Sequence, residues 1–553
     1  MTPREYKNER RKPPSNNSAL RGLLPDLSRM HSARTMLDLF ILEYRTYFST
    51  FIPLCVIILI LLRRRARKPL PPGPRRWPII GNISDFSEGL DATHWAKHKD
   101  VYGPLSSAEA FGKTFIIVKD AKVASDLLDQ TFNGKLCGFR VVPSMKPPGV
   151  QWRTFRKQFY STLGTRTSVS VYHDMLEFES RMLLLNLMKS PDDFFKHLQT
   201  YAGATTLNLC FGYSVSRHGS DPLVKLARAA DNAFDESITK MWMVDLLPFL
   251  QYVPGWLPGM GFKEVAKHIA SVFQEFRDRP FDFTKVQLTK GKAPASFVAT
   301  QLEKSSGSSE EEEVIKLTAS ALYAGGSDTT VAALEGFMLA MTLNPEIIRK
   351  AQAEIDTVVG LDRLPQISDR PRMPYIDAIM KEVLRWQVPV PMSLPRATKD
   401  EDEYNGYRIP AGSTVLPNIW MMCHDPSHYH DPFEFRPERF LPDGERKTEP
   451  DPKRLVFGFG RRICPGKEFA EASLFIAFSM ILATFDISKA QDKLGREIVL
   501  RVENTMGVLN HPKKFECRIV PRSENAVALI KSVKNETAYD LDDSGNLPPS
   551  NIY

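Results

Sequence analysis

Residues 457–466 read FGFGRRICPG. Glycines surround one cysteine, Cys464, and a proline follows it at once. The next stretch, GKEFAEASLFIAFSMILATF, carries apolar side chains at helical spacing. Pro465 suits the first position of a helix, so Cys464 is expected at a helix N-terminus. Unpaired backbone N–H groups and the helix dipole there favour a thiolate over a thiol. Gly460 and Gly466 let the backbone come close to a flat ligand. Arg462, two residues before the sulfur, can reach a carboxylate of that ligand with a two-pronged hydrogen bond. A nucleophilic cysteine is the competing reading, but it needs a general base, and no motif supplies a partner histidine. A merely structural cysteine leaves the twin arginines unexplained.

Haem ligation fits this loop best. The match to F-x-x-G-x-R-x-C-x-G at Phe457, Gly460, Arg462, Cys464 and Gly466 resembles the haem-binding signature of the cytochrome P450 family. The resemblance extends over residues 69–522, and its texture is similar to fungal microsomal members that serve secondary metabolism. It implies a mainly α fold with a small β region, a long central helix over haem b, and an axial thiolate from Cys464. It also implies a monooxygenase that inserts one atom of dioxygen into a lipophilic small molecule.

Outward from the loop, residues 309–343 are long enough to form that central helix, with Ser309 as its expected N-cap and glutamates in the first turn. Gly325 and Gly326 in its middle cost about 1 kcal/mol each relative to alanine. Thr329, four residues after Gly325, can bond the Gly325 carbonyl and open the helix there. Tight packing against a neighbour is the plainer reading of a Gly-Gly pair. With Ser327, Asp328 and Thr330, however, the segment resembles the family's oxygen-binding motif. The resemblance makes Thr329 the dioxygen-facing alcohol and Asp328 the proton-relay acid. Likewise Glu382, Arg385 and Arg439 resemble its buried structural network, while Trp152, Arg156 and Arg396 fall where relatives contact the haem propionates. Residues 383–395 and the turn at Met506-Gly507-Val508 are expected to line an apolar pocket with Ala321 and Ala324. Thr114–Val118, Tyr407–Ile409 and Thr414–Leu416 read as strands.

The ends of the chain read differently. Residues 46–62, TYFSTFIPLCVIILILL, span roughly 26 Å as a helix and stop at a basic cluster. They read as an uncleaved signal-anchor that leaves the catalytic domain cytosolic on the endoplasmic reticulum membrane. Residues 1–45 are expected to be a disordered tail, with 1–35 an extension and Met36 a natural start. Residues 63–76 are expected to form a basic, proline-rich hinge, 77–522 the catalytic domain, and 523–553 a disordered acidic tail. The segment from Leu128 to Trp152 reads as shorter than the family's substrate-covering loop.

A net charge of +8, partly in the N-terminal segment, indicates no nucleic-acid-binding domain. The six cysteines include no C-x-x-C pair, which argues against a disulfide framework. No flavin or nicotinamide motif is fused to the chain, so electrons are expected from NADPH-cytochrome P450 reductase, with cytochrome b5 as a further donor. Lys453, Arg454, Arg461 and Lys467 are candidates for a docking face. A haem-thiolate isomerase or dehydratase is the second reading, although the Asp328-Thr329 pair favours oxygen chemistry. A non-catalytic haem-binding protein is the third, should the short loop disable the pocket.

Overall fold

Apolar side chains three and four residues apart organise most of the chain into helices. The computed structural model describes residues 68–86, 91–130, 149–216, 221–239, 242–444, 447–505, 507–536 and 541–550, with a few positions between 44 and 55. The folded body runs from Leu70 onward, and Met1–Pro69 is a separate unit. Residues 1–43, most of the expected anchor at 46–62 and the loop at 131–148 lie outside the described residues. Among the described residues no single helix is long and apolar enough to cross a membrane.

Helices of eight residues or more are α1 (Ala121–Gln130), α2 (Val150–Leu163), α3 (His173–Lys189), α4 (Phe194–Phe211), α5 (Pro222–Thr239) and α6 (Phe262–Thr289). They continue with α7 (Phe297–Lys304), α8 (Ser309–Leu343), α9 (Pro345–Val358), α10 (Pro374–Trp386), α11 (Lys467–Thr484) and α12 (Glu524–Ser532). The central helix α8 is capped by Ser308, whose side chain accepts from the Glu311 N–H, one residue earlier than expected. From Thr330 to Thr342 it is buried throughout, held between α4 and α11. Phe337 stacks on Phe478 of α11 at 3.9 Å, and the Tyr201 hydroxyl of α4 donates to the Ser473 carbonyl of α11 at 2.9 Å.

The sheets are small. β1 (Leu105–Ala110), β2 (Lys113–Val118), β6 (Thr414–Pro417) and β3 (Arg396–Ala397) form one sheet in the order β1-β2-β6-β3. The β2–β6 pair is parallel and the others antiparallel. β4 (Asp402–Tyr404) pairs with β5 (Tyr407–Ile409), and β7 (Phe485–Lys489) with β8 (Cys517–Pro521). The three expected strands therefore appear as β2, β5 and β6.

Two boundaries differ from expectation. The second half of the proline-rich segment is stitched to β1: Ser107 N donates to the Pro72 carbonyl at 2.9 Å and Ser107 Oγ to that of Pro71 at 2.6 Å. The expected disordered tail contains α12, capped by the Ser523 hydroxyl, with Ile530 and Val533 fully buried. Its acidic composition hid a short amphipathic helix. Residues 541–550 also lie on the body: Ser214 N donates to Asp543 at 2.9 Å, and Arg279 Nε donates to the Pro548 carbonyl at 3.0 Å.

Candidate active site

The cysteine loop is folded by its own backbone. Cys464 N donates to the Phe457 carbonyl at 2.8 Å, and Ile463 N donates to the Gly460 carbonyl at 3.0 Å. Gly458 and Gly460 adopt φ of 79° and 55°, a conformation that side chains disfavour. Helix α11 begins at Lys467 with Gly466 as its N-cap, so Pro465 lies just ahead of the helix and not at its first turn. Burial pushes the Cys464 thiol up, opposed by the Gly466 N–H and the charges of Arg156 and Lys467. The helix end alone therefore does not make a thiolate here; a cation at the sulfur would.

Three guanidinium groups gather at this loop. Arg156 of α2 donates to the Ile463 carbonyl at 2.9 Å. Arg396 of β3 is buried, and its Nη2 lies 3.9 Å from where a Cβ on Gly458 would stand. Arg462 sits over the Trp152 ring at 4.8 Å. Burial, then repulsion from Arg396, Arg156 and Arg461, brings the Arg462 guanidinium down to about 10. Like charges crowded in this way call for an anion.

Helix α2 also ties the loop to the central helix, because Thr318 Oγ1 of α8 donates to Gln158 Oε1 at 2.7 Å. Further along α8, Thr329 Oγ1 donates to the Gly325 carbonyl at 2.7 Å while the helix continues unbroken. The two glycines differ. A Cβ on Gly326 would stand 2.7 Å from the Thr206 methyl of α4, whereas one on Gly325 would meet nothing within 4 Å. Ala321, Ala324, Gly325, Asp328 and Thr329 of α8 are less buried than the run from Thr330 to Thr342.

Away from this surface, Glu382 and Arg385 of α10 and Arg439 form an interior ion network. Arg385 donates to both Glu382 oxygens at 2.7 and 2.8 Å and to the carbonyls of Cys423, Pro432 and Glu434. Arg439 reaches Glu382 at 3.1 Å and Glu449 at 2.6 Å. Along the expected pocket wall Val388 and Met392 are buried, as is Val508, whose N–H donates to Asp235 at 3.1 Å; Met506 lies outside the described residues. Of the expected docking cations, Lys453 is engaged by Glu471 at 3.1 Å, while Arg454 and Arg461 are exposed.

Sequence reasoning missed the surroundings of Asp328. His511 stands 3.3 Å from its Oδ2 and 2.8 Å from Glu335 Oε2. No local motif could have signalled a histidine so distant along the chain.

A family model described as cytochrome P450 matches residues 71–519. The chain is 42% identical to cytochrome P450 monooxygenase claR of Ampulloclitocybe clavipes, over 85% of this chain and 90% of that protein. It is 38% identical to cytochrome P450 monooxygenase CLM2 of Gibberella zeae, over 89% and 97%. To O-methylsterigmatocystin oxidoreductase of Aspergillus flavus it is 35% identical, over 86% and 92%.

Proposed function

The chain belongs to the cytochrome P450 family and is a monooxygenase of that family, and on that premise we propose that Cys464 would hold the iron of a haem b through its sulfur. Arg156, Arg396 and Arg462, with Trp152, would hold its propionates, and Phe457 and Gly466 would flank the macrocycle. The chemistry of the donor set carries this reading. A thiol that burial pushes up lies in the same loop as Arg462, whose guanidinium burial and the charges of Arg396, Arg156 and Arg461 push down, and a dianionic metal macrocycle answers both demands. Bound there, haem supplies the iron at which dioxygen is activated, with sulfur donation favouring O–O cleavage.

The protein's own groups do the rest. Thr329 holds its hydroxyl at the open face of α8 through the bond to Gly325, presenting Oγ1 as the alcohol that faces dioxygen. Asp328 passes protons to that hydroxyl from the side of His511. Glu382, Arg385 and Arg439 fix the scaffold beneath the loop and touch no substrate. Two electrons arrive from NADPH through its cytochrome P450 reductase, with cytochrome b5 as a further donor. One oxygen atom enters the substrate and the other leaves as water.

The apolar walls at Ala321, Ala324, Val388 and Met392 select a lipophilic small molecule. A relative named for oxidising O-methylsterigmatocystin supports a substrate from fungal secondary metabolism. The site of action is the cytosolic face of the endoplasmic reticulum membrane, with residues 46–62 as the anchor in membrane lipid.

The test is the reduced, carbon-monoxide-bound difference spectrum of the full chain. A strongly red-shifted Soret band that disappears in Cys464→Ser supports the assignment. A histidine-like band in the wild type, or a red-shifted band that survives the substitution, removes it.

A further inference from the structure

His511 belongs to a hairpin in which Asn504 bridges Pro512 and Thr505 N donates to the His511 carbonyl at 2.8 Å. Both of its ring nitrogens meet carboxylates of α8. Nδ1 lies 2.8 Å from Glu335 Oε2, and Nε2 lies 3.3 Å from Asp328 Oδ2. The two acids are seven residues apart, so they share one face of the helix. A neutral imidazole donates from one nitrogen only, whereas an imidazolium donates from both. Burial opposes the charge on His511, but the bonds to Asp328 and Glu335 carry its pKa up to about 10. From α5, Asp231 and Arg228 also face the group: burial and the charge of Asp328 hold Asp231 well above the usual carboxylate range, and Arg228 acts on Glu335.

Resting on the assignment of Asp328 to proton delivery, we propose that His511 is a positioning residue that grips the Asp328 carboxylate, with Glu335 as its anchor. The hairpin carrying it is itself fixed. Val508 N donates to Asp235 of α5 at 3.1 Å, Asn510 N donates to the Pro389 carbonyl at 2.9 Å, and Gln387 Nε2 donates to the Asn510 carbonyl at 3.1 Å. The orientation of the acid is thereby tied to the seating of a turn at the expected pocket wall.

The test needs no known substrate. Full-length holoenzyme with reductase and NADPH reduces dioxygen to hydrogen peroxide with two electrons, or to water with four when protons arrive in time. Peroxide released per NADPH consumed therefore reads proton delivery, with variants matched for intact haem by their carbon monoxide spectra. Asp328→Asn and His511→Gln are both expected to raise the ratio about two-fold or more, with a shifted pH profile for the histidine variant. Glu335→Gln, which keeps His511 in place, is expected to raise it less.

A second readout is the imidazole nitrogen resonance of His511, expected to remain doubly protonated at pH 8 in the wild type and to titrate near neutrality in Glu335→Gln. If Asp328→Asn leaves the ratio unchanged, the role of Asp328 falls, and the proposal with it. If Asp328→Asn moves the ratio and His511→Gln does not, the proposal alone is overturned. A wild-type His511 that titrates near 6.5 also overturns it.

Discussion

Gly325 and Gly326 are adjacent in the chain and face different surroundings, one open space and the other the Thr206 methyl. Alanine at either position gains about 1 kcal/mol of helix propensity. At Gly326 the added carbon must displace a buried threonine, an overpacking cost of about 1–3 kcal/mol, so Gly326→Ala is expected to lower the urea unfolding midpoint. Gly325→Ala, whose added carbon meets open space, should raise that midpoint. Thr329→Ala should increase peroxide release per NADPH at unchanged stability, and Thr329→Ser should restore coupling.

A second residue-scale prediction concerns Lys119, fully buried with its Nζ on Ser106 Oγ at 2.6 Å. Burial, with the charge of Lys99, pushes its ammonium from 10.5 down to about 7. The folded value lies below the unfolded one, so its stability is complete above pH 10.5 and is lost as the pH falls toward 7. Lys119→Met strands the Ser106 hydroxyl at about 1 kcal/mol, yet should still gain roughly 1–3 kcal/mol at pH 7. Chemical denaturation across pH should show that gain vanishing by pH 10. An equal effect at both ends would mean that the ammonium is not the cause.

Among the elements, α10 carries a buried ion network. Glu382, Arg385 and Arg439 have no exposed side-chain surface, and their bonds fasten the helix to the irregular segment 423–449. Removing Arg385 strips the buried Glu382 of its two-pronged partner, and breaking a buried pair costs about 3–5 kcal/mol. Arg385→Ala is therefore expected to lose both the cooperative unfolding transition and haem retention. Arg385→Lys, which lacks the planar fork, should lose part of each; a lysine variant that unfolds like the wild type would show that charge alone suffices.

The Glu382–Arg385 pair was legible in its i, i+3 spacing and Cys464 in the glycines and proline around it, whereas Arg439, Arg156 and Arg396 entered only through the resemblance to the family. His511 was not legible: it meets Asp328 only through tertiary folding, and a lone histidine before a proline carries no periodic signal. Lys453 shows a related limit, since a lysine in sequence looks alike whether it faces solvent or pairs with Glu471.

Over the whole molecule, hydropathy separated a helical body from its ends but misjudged where the body stops. Composition suggested solvated tail after Arg522, yet Ile530 and Val533 are buried, and two apolar side chains in so short a stretch shift an average very little. Beyond α12 the chain crosses the body, joining Asp542 and Asp543 to residues 214–216 after α4, and Pro548 and Ser550 to Arg279 and Glu275 of α6. Each such bond contributes about 0.5–1.5 kcal/mol, offset by the entropy of ordering the segment, which amounts to about 1–2 kcal/mol per residue. The net gain is therefore expected to be small and local. Deleting residues 541–553 should lower the melting temperature by a few degrees and leave the carbonyl spectrum unchanged. Amide exchange should quicken at 212–216 and around Glu275–Arg279, two regions far apart in sequence that this tail joins. Faster exchange throughout the body would instead make the tail part of the global fold, and unchanged exchange in both regions would return it to the status of a solvated end.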